Sequence, residues 1–143
     1  MASLTHTPEE TKRLAADFAR TLRGGELVLL EGPLGAGKTT FAQGLCVALG
    51  VRVPVRSPTF AVMNLYPASS GDIALVVHLD FYRLKNPDEA LELGLEEWLD
   101  DPRAVVLVEW PDLAEPHLQA EHVAHVRFAA EGHARRISIT RDA

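Results

Sequence analysis

The sequence predicts an α/β fold, with a single domain over residues 1–143 and a mixed, mainly parallel central sheet flanked by helices. The first observation is a short apolar run at 27–30 that leads into a glycine-rich loop and then into a helical segment. The second is a run of five apolar residues at 104–108, which is typical of a strand covered on both faces. The third is the alternation of apolar and polar residues near 122–129 and 135–141, which predicts a C-terminal β-hairpin.

The N-terminal segment predicts a helix that begins after Thr7. Thr7 can cap the helix, Pro8 suits its first turn, and Glu10 completes a capping box. Glycines at 24–25 end the helix and lead into the strand at 26–31. Apolar residues recur at every fourth position and should face the core: Leu14, Phe18 and Leu22.

Beyond the glycine-rich loop, helical and extended patterns follow one another along the chain. Glycines mark the predicted helix ends, and polar turns separate the predicted strands. The expected elements are a helix to about Leu49 ended by Gly50, strands at 51–55, 61–66 and 73–79, a turn at 69–72, a helix from Asn86 interrupted at Gly94, and a hairpin turn at 131–133.

The glycine-rich loop has the spacing of a P-loop: Gly32, four residues, then Gly37-Lys38-Thr39. Gly32, Gly35 and Gly37 allow backbone conformations in which successive N–H groups turn inward around a phosphate. Lys38 would place its charge on the β- and γ-phosphates, and the Thr39 hydroxyl would ligate Mg²⁺. A glycine-rich turn without a ligand is the alternative, and the complete motif between a strand and a helix argues against it. The sequence therefore predicts a P-loop NTPase-type domain that binds a nucleoside triphosphate.

Two acidic residues follow buried strands of the predicted sheet. Asp80 comes after the strand at 73–79, and Glu109 comes after the strand at 104–108. Because ligands of open α/β sheets lie beyond the carboxyl ends of the strands, both side chains are candidates for the metal and for catalysis. Glu109 fits the position of a Walker-B-type acid that would share Mg²⁺ with Thr39. The alternative for each is a strand-end carboxylate that caps a loop or pairs with an arginine.

Three further features are open to two interpretations. The segment Ser57–Phe60 is either a switch-like loop in which Thr59 senses the γ-phosphate or its metal, or an ordinary turn. We place His78 one position off the face of Asp80 and expect a structural role rather than a catalytic one. Trp110 either stacks on a ligand or closes the core.

Composition excludes several classes of function. A net charge of −6 argues against a broad nucleic-acid groove, so any contact with RNA would be local. No Asn-Lys-x-Asp guanine-reading element occurs, which favours ATP over GTP, and little room remains for the substrate-binding parts of a small-molecule kinase. No run is long enough to span a membrane, no signal-peptide pattern is present, and the single cysteine, Cys46, cannot form an intramolecular disulfide. We therefore expect a cytoplasmic protein.

Four motifs, in this order and at this spacing, cover nearly the whole chain: Gly32–Thr40, Ser57–Phe60, the segment His78-Leu79-Asp80-Phe81-Tyr82-Arg83-Leu84, and Glu109-Trp110-Pro111. In these motifs the chain resembles the TsaE family, the small ATPases of bacterial tRNA threonylcarbamoyladenosine synthesis. The P-loop alone occurs in many unrelated enzymes, and the other three motifs are far more specific.

The resemblance implies a Mg²⁺–ATP site with Lys38 on the phosphates, Thr39 and Glu109 at the metal, and Asp80 beside them and required for hydrolysis. It also implies a complex with a TsaD-like transferase and a TsaB-like partner, in which slow ATP hydrolysis resets the assembly between turnovers. The alternatives are a small-molecule or nucleoside kinase with Asp80 as its base and a nucleotide-gated binding module without hydrolysis. The nucleotide-contacting residues that the resemblance implies are Thr7, Leu34, Gly35, Ala36, Gly37, Lys38, Thr39, Thr40, Thr59 and Gly132.

Overall fold

The structure is a computed structural model that describes residues 2–58 and 62–142. Its strands are β1 (Ala2–Thr5), β2 (Glu26–Glu31), β3 (Met63–Ser70), β4 (Ile73–Asp80), β5 (Ala104–Glu109), β6 (His122–Glu131) and β7 (Ala134–Arg141). Its α-helices are α1 (Pro8–Ala19), α2 (Lys38–Ala48) and α3 (Leu95–Asp100), and two 3-10 helices span Pro87–Leu93 and Pro111–His117. None of the helices in the described ranges combines the length and apolar composition that a bilayer span requires.

All of these strands belong to one sheet with the order β1-β7-β6-β2-β5-β4-β3. The four central strands, β6, β2, β5 and β4, are parallel to one another, and the outer pairings β1–β7, β6–β7 and β3–β4 are antiparallel. The α/β fold with a mixed sheet and a C-terminal hairpin is therefore confirmed. Parallel pairing accounts for three of the six strand pairs in the described chain and is confined to the centre.

Apolar side chains cover both faces of the central strands. One face packs against α1 and α2 through Phe41, Leu45 and Leu107, which are fully buried. The other packs against α3 and the 3-10 helix at Pro87–Leu93 through a second cluster that includes Leu79 and Leu95. Every residue of β5 is buried, as the uninterrupted apolar run predicts for a strand between two layers.

The two helices on the first face approach each other closely at Gly44. A Cβ built on this residue would lie 2.6 Å from Cα and 2.7 Å from the carbonyl oxygen of Lys12 in α1. Real side chains do not tolerate such distances to backbone atoms, so the absence of a side chain at Gly44 sets the separation of α1 and α2. This contact fixes the helix that follows the glycine-rich loop.

The predicted strand at 51–55 is wrong, because this segment is irregular in the structure. Pro54 has no N–H to give to a ladder. The neighbouring backbone groups bond to side chains instead: the Val55 carbonyl accepts from Gln43 Nε2 at 3.0 Å, and the Arg56 N–H donates to the Tyr66 hydroxyl at 3.2 Å.

Most other predicted elements agree with the structure to within a few residues. Thr7 caps α1, with its Oγ1 accepting from the Glu10 N–H at 3.1 Å. The chain from Asn86 forms a 3-10 helix followed by α3, and Gly94, at φ +77°, separates the two. Strand β1 is an addition that the sequence analysis did not predict, since four residues are too few to display a period.

Candidate functional site

A cavity of about 560 Å³ opens at the carboxyl ends of the parallel strands β2, β4 and β5. This edge of an open α/β sheet is where such proteins bind ligands. The P-loop, the ends of β4 and β5, the chain before α1 and the turn of the β6–β7 hairpin all contribute to its wall. The sequence-predicted site residues that line it are Thr7, Leu34, Gly35, Gly37, Lys38, Thr39, Thr40, Asp80 and Glu109.

The P-loop connects β2 directly to α2. Gly35 (φ +74°) and Gly37 (φ +101°) adopt left-handed conformations that only glycine takes up without strain. Gly37 is the N-cap of α2 and supplies no side-chain hydrogen bond to the first turn, unlike Thr7 in α1. The first amides of α2 are therefore not satisfied by a cap, and together with the helix dipole they form a suitable environment for an anion.

Lys38 lies at the start of α2 and is only 5% exposed. Its Nζ donates a hydrogen bond to the Gly32 carbonyl at 2.6 Å and stands 3.4 Å from the ring centroid of Trp110. Burial lowers the pKa of the Lys38 ammonium, while the negative charges of Glu109 and Asp80 oppose that shift. The ammonium thus contacts the loop backbone and an aromatic face, and the charges of two acids act on it from a longer distance.

Asp80 and Glu109 occupy equivalent positions at the ends of neighbouring parallel strands. They are 9% and 3% exposed, respectively. Oδ1 of Asp80 accepts a hydrogen bond from the Tyr82 N–H at 2.9 Å, and Oε2 of Glu109 bonds to Nε2 of His78 at 2.7 Å. These two carboxylates and the Thr39 hydroxyl line the same cavity and offer the hard oxygen ligands that Mg²⁺ prefers.

The protein alone does not supply a closed cage for a cation. Within residues 2–58 and 62–142, no three His, Cys, Asp or Glu side chains come together as metal ligands. Mg²⁺ requires six oxygens and is commonly held by one or two carboxylates together with water and the phosphates of a substrate. The oxygen set at this site fits that mode of binding, in which a nucleotide completes the coordination.

Comparison with known proteins adds to this geometry. Residues 5–138 match the family described as "Threonylcarbamoyl adenosine biosynthesis protein TsaE". The chain belongs to the TsaE family. The resemblance stated from the sequence motifs is therefore confirmed, and with it the connection of the family to threonylcarbamoyladenosine biosynthesis.

Individual relatives of this TsaE-family chain are similar over most of its length. It is 39% identical to the tRNA threonylcarbamoyladenosine biosynthesis protein TsaE of Bacillus subtilis over 136 residues, which cover 95% of this chain and 82% of the relative. It is 47% identical to the protein of the same name from Streptomyces coelicolor over 100 residues, covering 69% and 66% of the two chains. The fold is similar to that of the crystal structure of Bacillus subtilis YdiB, with a TM-score of 0.78, 33% identity, and coverage of 97% of this chain and 83% of the other.

Two predicted site residues of the TsaE-family chain that the structure describes do not line the cavity. Ala36 is 4% exposed and points into the core between α2 and the sheet. Gly132 forms the hairpin turn at φ +62°, and its neighbour His133 lines the cavity in its place. Thr59 lies outside the described residues, as does Phe60, whereas Ser57 at the start of that segment borders the cavity.

The position predicted for His78 is wrong. Residues two apart in a strand share a face, so His78 and Asp80 lie on the same side of β4. His78 is fully buried there and reaches Glu109 across the β4–β5 pair. Alternation along β4 was the signal that could have placed it.

Two further residues around the cavity have roles that the sequence left open or did not indicate. Trp110, for which two roles were left open, lines the cavity with a backbone φ of +56° and contacts the Tyr82 ring at a centroid distance of 4.9 Å. Arg135 reaches from β7 to the Gly35 carbonyl at 3.2 Å. The hairpin therefore contacts the P-loop of this TsaE-family chain, which spacing alone could not reveal.

Proposed function

We propose that this chain binds Mg²⁺–ATP in the cavity at the P-loop and hydrolyses it slowly, as the ATPase of a tRNA threonylcarbamoyladenosine-modifying assembly in the cytoplasm. One observation carries the proposal. The uncapped start of α2, the Lys38 ammonium and the carboxylates of Asp80 and Glu109 surround one cavity. Positive groups suited to phosphates thus stand beside oxygens suited to Mg²⁺.

Each group has a distinct part in the proposed reaction. The α2 amides and Lys38 would bind and orient the phosphates, and Lys38 would stabilise the charge that develops on the transferred phosphoryl oxygens. Thr39 and Glu109 would hold Mg²⁺, whose charge neutralises the phosphates when it is bound. Asp80, whose Oδ1 the Tyr82 N–H fixes at 2.9 Å, would complete the metal environment and orient the attacking water.

We propose that the chain alone hydrolyses ATP slowly and that a partner raises the rate. Catalysis of phosphoryl transfer depends on positive charge placed on the transferring group, and an arginine often supplies it. Arg135 contacts the P-loop backbone at Gly35, and Arg83 lines the cavity wall. We infer that a TsaD-like transferase with a TsaB-like partner stimulates turnover by completing or closing the cavity.

The test compares ATP hydrolysis by wild type and Asp80→Ala, with Asp72→Ala as the matched control. Asp72 is exposed and precedes β4 at its opposite end, so its loss should leave the rate unchanged. Loss of Asp80 should lower the rate by about 10²–10³, the size of effect typical of an electrostatic group at a reacting centre. Equal background rates in all three proteins would instead indicate a binding module without hydrolysis.

The assembly is tested by pulldown with tagged chain under ATP and under ADP. Recovery of a tRNA-modifying transferase in a nucleotide-dependent manner is the expected result, together with faster ATP hydrolysis in its presence. Phosphate transfer to an acceptor in extract, rather than to water, would support the kinase alternative. No recovery under either nucleotide would contradict the assembly role.

A further inference from the structure

His78 is an unusual side chain for its position in the core. It is fully buried in β4, opposite Leu107 of β5, on the face that α1 and α2 cover. Its Nε2 bonds to Glu109 Oε2 at 2.7 Å, whereas its Nδ1 is buried without a hydrogen-bond partner in the described part of the chain. An apolar side chain would fill this space without leaving a nitrogen unbonded, so core packing does not account for a histidine here.

The direction of the hydrogen bond follows from the groups involved. A carboxylate only accepts, so the proton lies on Nε2 and the ring donates to Glu109. The ring therefore directs its Nε2 donor at the acid that faces the cavity.

The bond to His78 restrains Glu109, an acid that also lies near the Lys38 ammonium. The Lys38 ammonium is near enough for Glu109 to affect its pKa, yet no ion pair within 4.0 Å joins Lys38 to Glu109 or Asp80 in residues 2–58 and 62–142. Lys38 instead donates to the Gly32 carbonyl. With Oε2 bonded to His78, the Glu109 carboxylate cannot swing freely toward the ammonium, and Oε1 is left for another ligand.

We propose that His78 is a positioning residue, whose Nε2–H holds Glu109 so that Oε1 is preset to receive Mg²⁺ in the nucleotide complex. The inference rests on the proposed function, because it assigns Glu109 to the metal. Partners of this kind commonly change metal affinity or activity by about 10–100-fold when removed. His78 touches neither the nucleotide nor the cation in this scheme and acts only through Glu109.

The test measures how much Mg²⁺ strengthens nucleotide binding. Calorimetry gives the Kd of the β,γ-imido analogue of ATP in EDTA and in excess Mg²⁺, and the ratio of the two values is the readout. His78→Leu and His78→Asn lose the donor at Nε2, since the Asn amide is too short to reach Glu109. His78→Gln keeps a donor near the Nε2 position. His125→Leu, in β6 and outside the cavity wall, is the matched control.

We expect His78→Leu and His78→Asn to lose about 10–100-fold of the Mg²⁺-dependent gain, while their Kd in EDTA stays as in wild type. His78→Gln should recover most of the gain, which a merely structural role would not produce. Leu and Asn variants with the wild-type ratio, or a Gln variant as weak as the Asn variant, would overturn the inference. A wild-type protein whose affinity ignores Mg²⁺ would overturn the proposed function itself.

A measurement on the wild-type protein does not depend on how well the variants fold. The His78 Nε2–H signal in ¹H–¹⁵N spectra of the ring, assigned by its absence in His78→Gln, should shift when Mg²⁺ joins the nucleotide complex. Addition of the ATP analogue in EDTA should shift it far less. A signal that is indifferent to Mg²⁺ contradicts a link from His78 through Glu109 to the cation.

Discussion

At the scale of single residues, burial determines which reactive groups are available. Cys46 lies in α2 with no exposed surface, and burial raises the pKa of its thiol from 9.0 to about 12. The thiolate is the reactive form, so this cysteine is chemically inert in the folded protein. Lys38 and Glu109 are also nearly buried, but they line a cavity that a ligand can enter.

Cys46 yields a prediction on reactivity and on pH. Iodoacetamide at neutral pH should leave native protein unmodified and should label Cys46 in denaturant. Because the folded pKa is raised, the contribution of the thiol to stability is complete below about pH 9 and decreases as pH rises toward about 12. Urea unfolding across this pH range gives the free energy of unfolding of wild type and of Cys46→Ala. This free energy should fall more steeply with pH in wild type than in the variant. Rapid labelling of the native protein would contradict the burial of the thiol.

At the scale of elements, the orientation of α2 determines where its first amides point. That orientation depends on α1, because the two helices touch where Gly44 meets the backbone of Lys12. A methyl group at Gly44 cannot be accommodated by a side-chain rotation, since the atoms it would meet include the Lys12 backbone. Helix packing at Gly44, which does not itself line the cavity, is thus connected to the geometry of the P-loop.

Gly44→Ala tests this connection. Alanine favours a helix by about 1 kcal/mol over glycine, but overpacking typically costs about 1–3 kcal/mol, so we expect a net loss of stability of about 1 kcal/mol. Urea unfolding measures it, and nucleotide affinity should fall as α2 moves. Val47→Ala, on the exposed side of the same helix at 69% exposure, is the control and should change stability by less than about 0.5 kcal/mol. An alanine variant as stable as wild type would show that α1 and α2 can separate freely.

At the scale of the whole molecule, the cavity is built from distant parts of the chain. The segment before α1, the P-loop, the ends of β4 and β5, and the β6–β7 hairpin come together only when the sheet is complete. A ligand that contacts all of them binds the folded protein and not the unfolded chain. Binding must therefore raise the stability of the entire domain.

Thermal unfolding with and without nucleotide tests this linkage. At a concentration of Mg²⁺–ATP analogue 100 times its Kd, stability should increase by about 2.7 kcal/mol, which raises the Tm by on the order of 5–10 °C for a domain of this size. At the same ligand concentration, Lys38→Ala should show little of this increase in Tm. Lys85→Ala, which removes an exposed lysine, should retain it. An equal increase in both variants would argue that the nucleotide binds elsewhere.

The sequence was sufficient for features that depend on local pattern. The P-loop, the buried run of β5 and the acids at the strand ends follow from spacing and strand length, and the rule that parallel strands share a carboxyl edge brings Asp80 and Glu109 together. The cap at Thr7 also follows from residue types. Each of these features can be read from a local residue pattern, combined in the case of Asp80 and Glu109 with a general rule for parallel sheets.

Features that depend on distant contacts were not predictable. The segment 51–55 has a strand-like composition, but side chains of α2 and β3 take its hydrogen bonds. Strand β1 exists because β7 offers an edge to pair with, and the Arg135 contact with the P-loop needs the hairpin in place. The role expected for Thr59 falls in the undescribed segment and stays a prediction.

The contact between Lys38 and Trp110 has a practical consequence. The face of the Trp110 indole lies 3.4 Å from the buried Lys38 ammonium. When that ammonium binds a phosphate instead, the surroundings of the indole change, and its fluorescence should change with them. The second tryptophan, Trp98, lies in α3 and does not line the cavity. Its Nε1–H donates a hydrogen bond to the Leu93 carbonyl. Replacing Trp98 with phenylalanine would leave a chain whose intrinsic fluorescence reports on its own ligand, without a dye or label.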